Sequence, residues 1–183
     1  EKCLLTVIPC LNYNHSSRYI LPIPPSPNLP NMRSVYLYPS LCFFEGTNVS
    51  IGRGTDFPFQ VFGAPYFDNK LFKFTPKATY GAKNPKHKSI DCYGKDLRTI
   101  SLDSLKNISS LNYSWLIKSY NISNEPINFF NKNNFFNLLS GSNKLMNLIK
   151  GGANDSQIKE TYKEDLMKFK TTRKKYLLYE DFE

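Results

Sequence analysis

Residues 43–56 read FFEGTNVSIGRGTD, a stretch that concentrates groups able to donate, accept or hold a proton. Glu45 follows Phe43 and Phe44, so one side of its carboxyl faces apolar neighbours. Desolvation of that kind raises a carboxyl pKa and keeps a proton available near neutral pH, as general acid catalysis requires. Thr47, Asn48, Ser50 and Thr55 add neutral donors and acceptors of the sort that hydroxyl-rich ligands use. Arg53 is a planar donor fork matched to a carboxylate. Asp56 has three readings: a second acid, an acceptor for a ligand hydroxyl, or the partner of Arg53. Gly46, Gly52 and Gly54 permit tight turns and close approach of a ligand to the backbone. A plainer reading stands beside this one, in which Glu45 only caps a turn or pairs with Arg53 and the glycines make an ordinary surface loop. The stretch is not a phosphate loop, because GRGTD lacks both the lysine of that motif and the GxGxxG spacing.

The elements that must position these residues follow from local pattern. Residues 3–9, CLLTVIP, read as a strand: a short β-branched apolar run closed by proline. It begins two residues into the chain without a turn before it, which predicts that the rest of its sheet lies upstream of Glu1. Five prolines fall among residues 20–30, which excludes helix and central strand. The interleaved Ile20, Ile23 and Leu29 favour a packed wall over a loose tether. Residues 36–44 read as a strand that delivers Glu45 to its end. Residues 67–100 are loop-rich and close on a short strand-like LRTIS. From Leu102 to Tyr120 the apolar positions predict one helix, and residues 128–139 are partly helical. Ser142 is placed to cap a short helix ended by Gly151. Asn154 with Gln157 forms a capping box for a longer helix through Ile158, Tyr162, Leu166 and Phe169, and the tail YLLYEDFE is apolar enough to dock. No repeat is present. The pattern is α/β, with the helices gathered toward the C-terminal end.

Composition narrows the alternatives. The net charge is +9 over 183 residues, but the lysines are scattered and only Arg173-Lys174-Lys175 forms a run, so a nucleic-acid partner is disfavoured. No apolar run approaches the ~20 residues of a membrane span. Cys3, Cys42 and Cys92 stand in apolar or strand-like surroundings and read as small buried hydrophobes. The four cysteines and the two histidines, His15 and His87, have no metal-ligand spacing.

Four segments carry a resemblance to a known family: LTVIPCLNY, PSPNLPNMRSVYLYPSLCFFEGTNVSIGRGTDFPFQVFGAP, CYGKDLR and RKKYLLYEDFE. They resemble the NamZ family of exo-β-N-acetylmuramidases, long catalogued as a domain of unknown function, and in particular a Bacteroidetes-like member. The resemblance extends over essentially the whole chain and implies a two-domain protein. Its N-terminal Rossmann-like domain, with a Glu-His-Gly motif carrying the favoured catalytic acid, is not represented here; no Glu-His pair occurs in the sequence. Residues 1–38 would then be the end of that domain and the proline-rich connection, and residues 39–183 the C-terminal domain.

The same resemblance implies release of terminal N-acetylmuramic acid from the non-reducing end of cell-wall fragments, with peptidoglycan-derived amino sugars as partners and no cofactor or metal. It places the protein in the periplasm or outside the cell. The loop after Glu45 becomes one wall of a cleft between the two domains. Glu45 is the candidate catalytic group of this chain, and Asn28, Thr47, Asn48, Arg53, Gly54, Thr55 and Asp56 are the expected sugar contacts. Arg53 would hold the lactyl carboxylate that distinguishes muramic acid from glucosamine. By itself the chain is expected to be inactive, and the alternative reading is a non-catalytic carbohydrate-binding or interaction module.

Overall fold

A computed structural model describes residues 3–181 of the chain. The chain divides into two compact units, Leu21–Ile158 and the pair of segments Glu1–Ile20 and Lys159–Glu183. The mixed helix and sheet content is α/β, as expected.

The larger unit begins with helix α1, Met32–Leu41. Asn31 caps it in a reciprocal box: its side chain accepts from the Ser34 N–H at 3.0 Å while the Ser34 hydroxyl accepts from the Asn31 N–H. Ser34, Leu37 and Leu41 are buried, three and four residues apart, and so share one face. The strand expected over residues 36–44 is therefore wrong. Residues 36–41 belong to this helix, with Leu37 and Leu41 inward and Tyr38 exposed, and the 3₁₀ turn Cys42–Gly46 that carries Glu45 follows with Phe43 and Phe44 buried.

Three antiparallel strands, β1 (Val61–Ala64), β2 (Phe72–Phe74) and β3 (Cys92–Asp96), form a sheet in the order β1-β3-β2. Gly94 pairs with both Gly63 and Phe72. A Cβ on Gly94 would lie 2.0 Å from the Phe62 carbonyl oxygen, so the central strand has room only for glycine there. Ser50 joins the edge of β1 through two bonds with Gly63, at 2.8 and 2.9 Å, which ties the candidate loop to the sheet. LRTIS is not a strand. It forms turns just after β3, where the Asp96 carboxylate accepts from the Arg98 N–H and holds its guanidinium over Phe57.

The helix expected from Leu102 to Tyr120 is two helices, α2 (Leu102–Lys106) and α3 (Ser114–Asn121). Between them the Asn112 side chain accepts from the Ser114 N–H, and polar side chains of this kind compete with helical bonding. Short helices α4 (Pro126–Phe129), α5 (Phe135–Ser140) and α6 (Lys144–Lys150) follow, and Gly151 ends the last as anticipated. The Asn154–Gln157 box forms with both bonds at 2.9 Å and opens α7, Asp155–Arg173. The core is strongly aromatic: Phe44 stacks on Phe62, and Phe136 meets Phe130 edge to face.

Several expectations about the chain's ends change. Residues 3–10 form no strand, and Leu4, Leu5 and Ile8 are exposed. An apolar β-run takes strand form only when a neighbouring strand accepts its backbone bonds, and none does so among the described residues. Cys3 is exposed and Cys42 half-buried; only Cys92 is fully buried, and all four cysteines are free. In the proline-rich stretch Ile20 and Ile23 are exposed, so the wall packs only at its far end. There Leu29 bonds back to Ser26, and the Asn28 side chain donates to the Gly81 carbonyl at 2.8 Å. Within the smaller unit the tail docks through Tyr179, whose hydroxyl accepts from the Cys10 N–H, and through an Arg173–Asp181 ion pair. Tyr176 and Leu178 are exposed. Among the described residues no helix is long and apolar enough to cross a membrane.

The contact that sets the height of the Glu45 turn is the approach of Gly46 to α5. A Cβ at Gly46 would lie 2.5 Å from the Phe136 Cα. Gly46→Ala is expected to cost about 1–3 kcal/mol, the usual range for overpacking a core. Urea denaturation measures it, and a change below about 0.5 kcal/mol would show that α5 yields freely.

Candidate functional site

Glu45 and Arg53 come together in a hollow of about 680 Å³, lined also by Val49–Ile51, the loop 80–86 and Phe135. Arg53 Nη1 donates to Glu45 Oε1 at 3.1 Å. The Arg53 side chain is 42% exposed and that of Glu45 20%, so the pair faces the opening. The backbone that brings them together turns on two glycines in the left-handed region, Gly52 at φ 76° and Gly54 at φ 84°. At Gly54 the approach is also too close for a side chain: a Cβ would lie 2.4 Å from the Lys77 carbonyl oxygen.

The rest of the expected contact set separates. Thr47 is fully buried, and its hydroxyl donates to the Phe44 carbonyl and accepts from the Val49 N–H. Thr55 likewise closes its own turn by donating to the Gly52 carbonyl at 2.6 Å. Asp56 is exposed and is not the partner of Arg53. Thus Thr47, Thr55 and Asp56 do not line the hollow. Asn28 reaches it indirectly, through the Gly81 carbonyl. Asn48 belongs to a second hollow of about 420 Å³, with Tyr66, His87, Ser123 and Glu125. The expectation that Asn48 and Thr55 share a concavity with Glu45 is therefore corrected. Short polar side chains in a tight turn bond first to the nearest backbone groups.

Two residues that sequence reasoning passed over hold the turn in place. Lys86 donates to the carbonyls of Phe44, Thr47 and Val49, at 3.2 Å and 3.1 Å for the first and last. Its three N–H groups are thereby satisfied. The adjacent His87 places Nε2 2.7 Å from the Asn48 carbonyl. A carbonyl only accepts, so Nε2 carries the hydrogen. The Tyr66 hydroxyl donates to Asn48 Oδ1 at 2.6 Å. From the other direction Asn131 donates its backbone N–H to the Gly46 carbonyl and its side chain to the Glu45 carbonyl. Nothing marks Lys86 in sequence among 24 basic residues. Its role depends on three carbonyls about forty residues earlier in the chain.

Burial shapes the titration of these groups. It pushes Lys86 down to about 8, with Glu45 pulling it back up and Arg53 pushing it further down. It holds His87 below its ordinary 6.5, opposed by the bond to Asn48 and reinforced by the charge on Lys86. Tyr66 is pushed up, again mainly by burial. No group of three or more metal-ligating side chains occurs among the described residues.

The family model described as "Exo-beta-N-acetylmuramidase NamZ, C-terminal" matches residues 36–179. The chain belongs to this family. Both lining residues of interest, Glu45 and Arg53, fall inside the NamZ match. A curated relative, the peptidoglycan beta-N-acetylmuramidase NamZ of Bacillus subtilis (strain 168), is 31% identical over 166 residues, which cover 85% of this chain and 40% of that protein. A crystal structure of a DUF1343 family protein from Bacteroides fragilis NCTC 9343 superposes with a TM-score of 0.90 at 47% identity, over 96% of this chain and 49% of that one. A second DUF1343 structure from the same organism, with a TM-score of 0.61 at 22% identity over 86% of this chain and 45% of that one, shares the fold. The chain thus spans less than half the length of each of these relatives.

The Lys86 contacts yield a pH signature. Folded Lys86 releases its proton near pH 8, whereas the unfolded side chain keeps it to about 10.5. Between those values the unfolded state binds more protons, so this group's contribution to stability rises with pH. The titration of His87 lies below this window. In denaturant titrations from pH 8 to 10.5 the wild type should therefore gain stability relative to Lys86→Met. A pH-independent difference would mean that the ammonium is not desolvated.

Proposed function

We propose that this chain supplies one wall of the sugar site of a NamZ-type exo-β-N-acetylmuramidase, which releases N-acetylmuramic acid from the non-reducing end of peptidoglycan fragments. The observation that carries the proposal is the meeting of Glu45 and Arg53 in a hollow of about 680 Å³ inside the family match. That volume lies in the range of small-ligand sites. Arg53 spends one N–H on Glu45. A guanidinium has five, so the remainder of the fork is free to meet the lactyl carboxylate of muramic acid. Glu45 is then the group that stands nearest that recognition and can hold or move a proton at the ring substituents. With this reading goes a periplasmic or secreted location, where cell-wall material is assembled.

Glycoside hydrolysis uses two carboxyl groups, or one with the help of the substrate's own acetamido group. The lining of the hollow supplies a single carboxylate, Glu45. This favours the chain as a binding wall that needs further residues of a complete protein to cleave. It also gives the second reading, a carbohydrate-binding module, its specific support.

The test uses the full-length protein with matched muramic acid and glucosamine glycosides. Arg53→Ala should weaken muramic acid substrates by about 10- to 100-fold in kcat/KM, the value of a charge-assisted bond, and leave glucosamine analogues nearly unchanged. Its unfolding free energy should move by less than about 1 kcal/mol, because exposed ion pairs contribute little. Glu45→Gln should lower kcat far more than stability. Equal impairment of both sugars by Arg53→Ala would instead make Arg53 a structural partner of Glu45.

A further inference from the structure

The sugar-site reading leaves one conspicuous side chain in the hollow without a role. Tyr80 lines it and is 92% exposed. Among the described residues its ring meets no other ring and its hydroxyl has no hydrogen-bond partner. Single exposed aromatics are common on protein surfaces, so exposure alone says little. The manner in which Tyr80 is held says more. It occupies the first corner of a two-residue turn closed by reciprocal backbone bonds between Thr79 and Ala82, at 3.0 and 3.2 Å. The second corner, Gly81, accepts 2.8 Å from the Asn28 side chain. A Cβ there would lie 2.9 Å from Pro27, so the turn sits directly against the proline-rich stretch. The backbone beneath Tyr80 is thus braced from two directions, while the side chain is left free at the mouth of a hollow holding one carboxylate and a guanidinium.

We infer that Tyr80 is the aromatic platform of this site, on which the apolar face of the ligand's pyranose ring stacks. The inference rests on the sugar-site reading above and adds a residue and a mode of contact to it. A pyranose chair turns axial C–H groups to its faces and sends its hydroxyls and other substituents outward from the rim. The face of a phenol ring carries the negative part of its quadrupole and attracts such C–H groups. Stacking therefore buries apolar surface without stripping water from the hydroxyls, and it leaves the substituents free for Arg53 and Glu45. Phe135, 38% exposed and also lining the hollow, offers a second apolar surface. Asn28 becomes a positioning residue for Tyr80. The ring face is shared by muramic acid and glucosamine, so Tyr80 supplies affinity for the sugar ring while Arg53 selects its acidic substituent.

Binding of the methyl β-glycosides of N-acetylmuramic acid and N-acetylglucosamine to the full-length protein, followed by calorimetry or NMR titration, tests this. Tyr80→Ala should weaken both sugars about tenfold or more, the loss expected when an aromatic anchor is truncated, and Tyr80→Phe should bind both as the wild type does. The melting temperature of each variant should be unchanged, since the side chain is 92% exposed. If the wild type binds and Tyr80→Ala binds equally well, the platform is overturned and the sugar site stands. A loss in Tyr80→Phe equal to that in Tyr80→Ala would overturn stacking in favour of a hydroxyl contact. If the wild type binds neither glycoside, the site reading and the platform fall together.

Discussion

The ammonium of Lys86 lies where the carbonyls of Phe44, Thr47 and Val49 converge, and the shape of the candidate site depends on that convergence. The Phe44 carbonyl belongs to the 3₁₀ turn and those of Thr47 and Val49 to the segment just after it, and a half-buried cation gathers all three. With those oxygens drawn to Lys86, the turn keeps the Glu45 side chain in the hollow. The neighbouring His87 holds the intervening carbonyl, that of Asn48. Two consecutive residues of one loop therefore fix the backbone of another. A buried charge is costly unless its hydrogen bonds are complete, and the three carbonyls complete them.

The Glu45–Arg53 ion pair is the visible feature of the site but not what holds it. With Arg53 42% exposed, the pair contributes at most about 1 kcal/mol. Its geometry is dictated by backbone: the left-handed glycines at 52 and 54, the Ser50–Gly63 bonds to the sheet, and the close passage of Gly46 over Phe136. A pair of this kind engages a single N–H of the Arg53 fork. It keeps Arg53 oriented without holding it tightly.

Asn48 divides two hollows. Its flanking residues Thr47 and Val49 give their carbonyls to Lys86, beneath the Glu45 hollow, while its own side chain and carbonyl turn to Tyr66 and His87. The aromatic core behind the turn, from Phe44 and Phe62 to Phe130 and Phe136, gives this arrangement a rigid backing. Membership of the NamZ family and a TM-score of 0.90 to a solved DUF1343 protein agree with such a scaffold, in which side-chain packing rather than long regular elements carries the fold.

Much was legible in the residues themselves. The Asn154–Gln157 box, the stop at Gly151 and the glycine-bent loop around Arg53 are local, and local backbone chemistry is written in adjacent residue types. The family was legible too, because its motifs are contiguous. The run at residues 36–44 misled because its leucines and aromatic residues suit a strand and a partly buried helix alike. The Asn31–Ser34 box, a local signal, decides between them. What only tertiary structure decided is which polar groups remain free for a ligand. Thr47 and Thr55 are spent on their own turn, Asn28 reaches Gly81, and Lys86 finds three carbonyls far upstream. Composition counts donors and acceptors, but only the folded chain determines which of them have already found a partner, because a hydrogen bond is settled by distance in space and not by separation along the sequence.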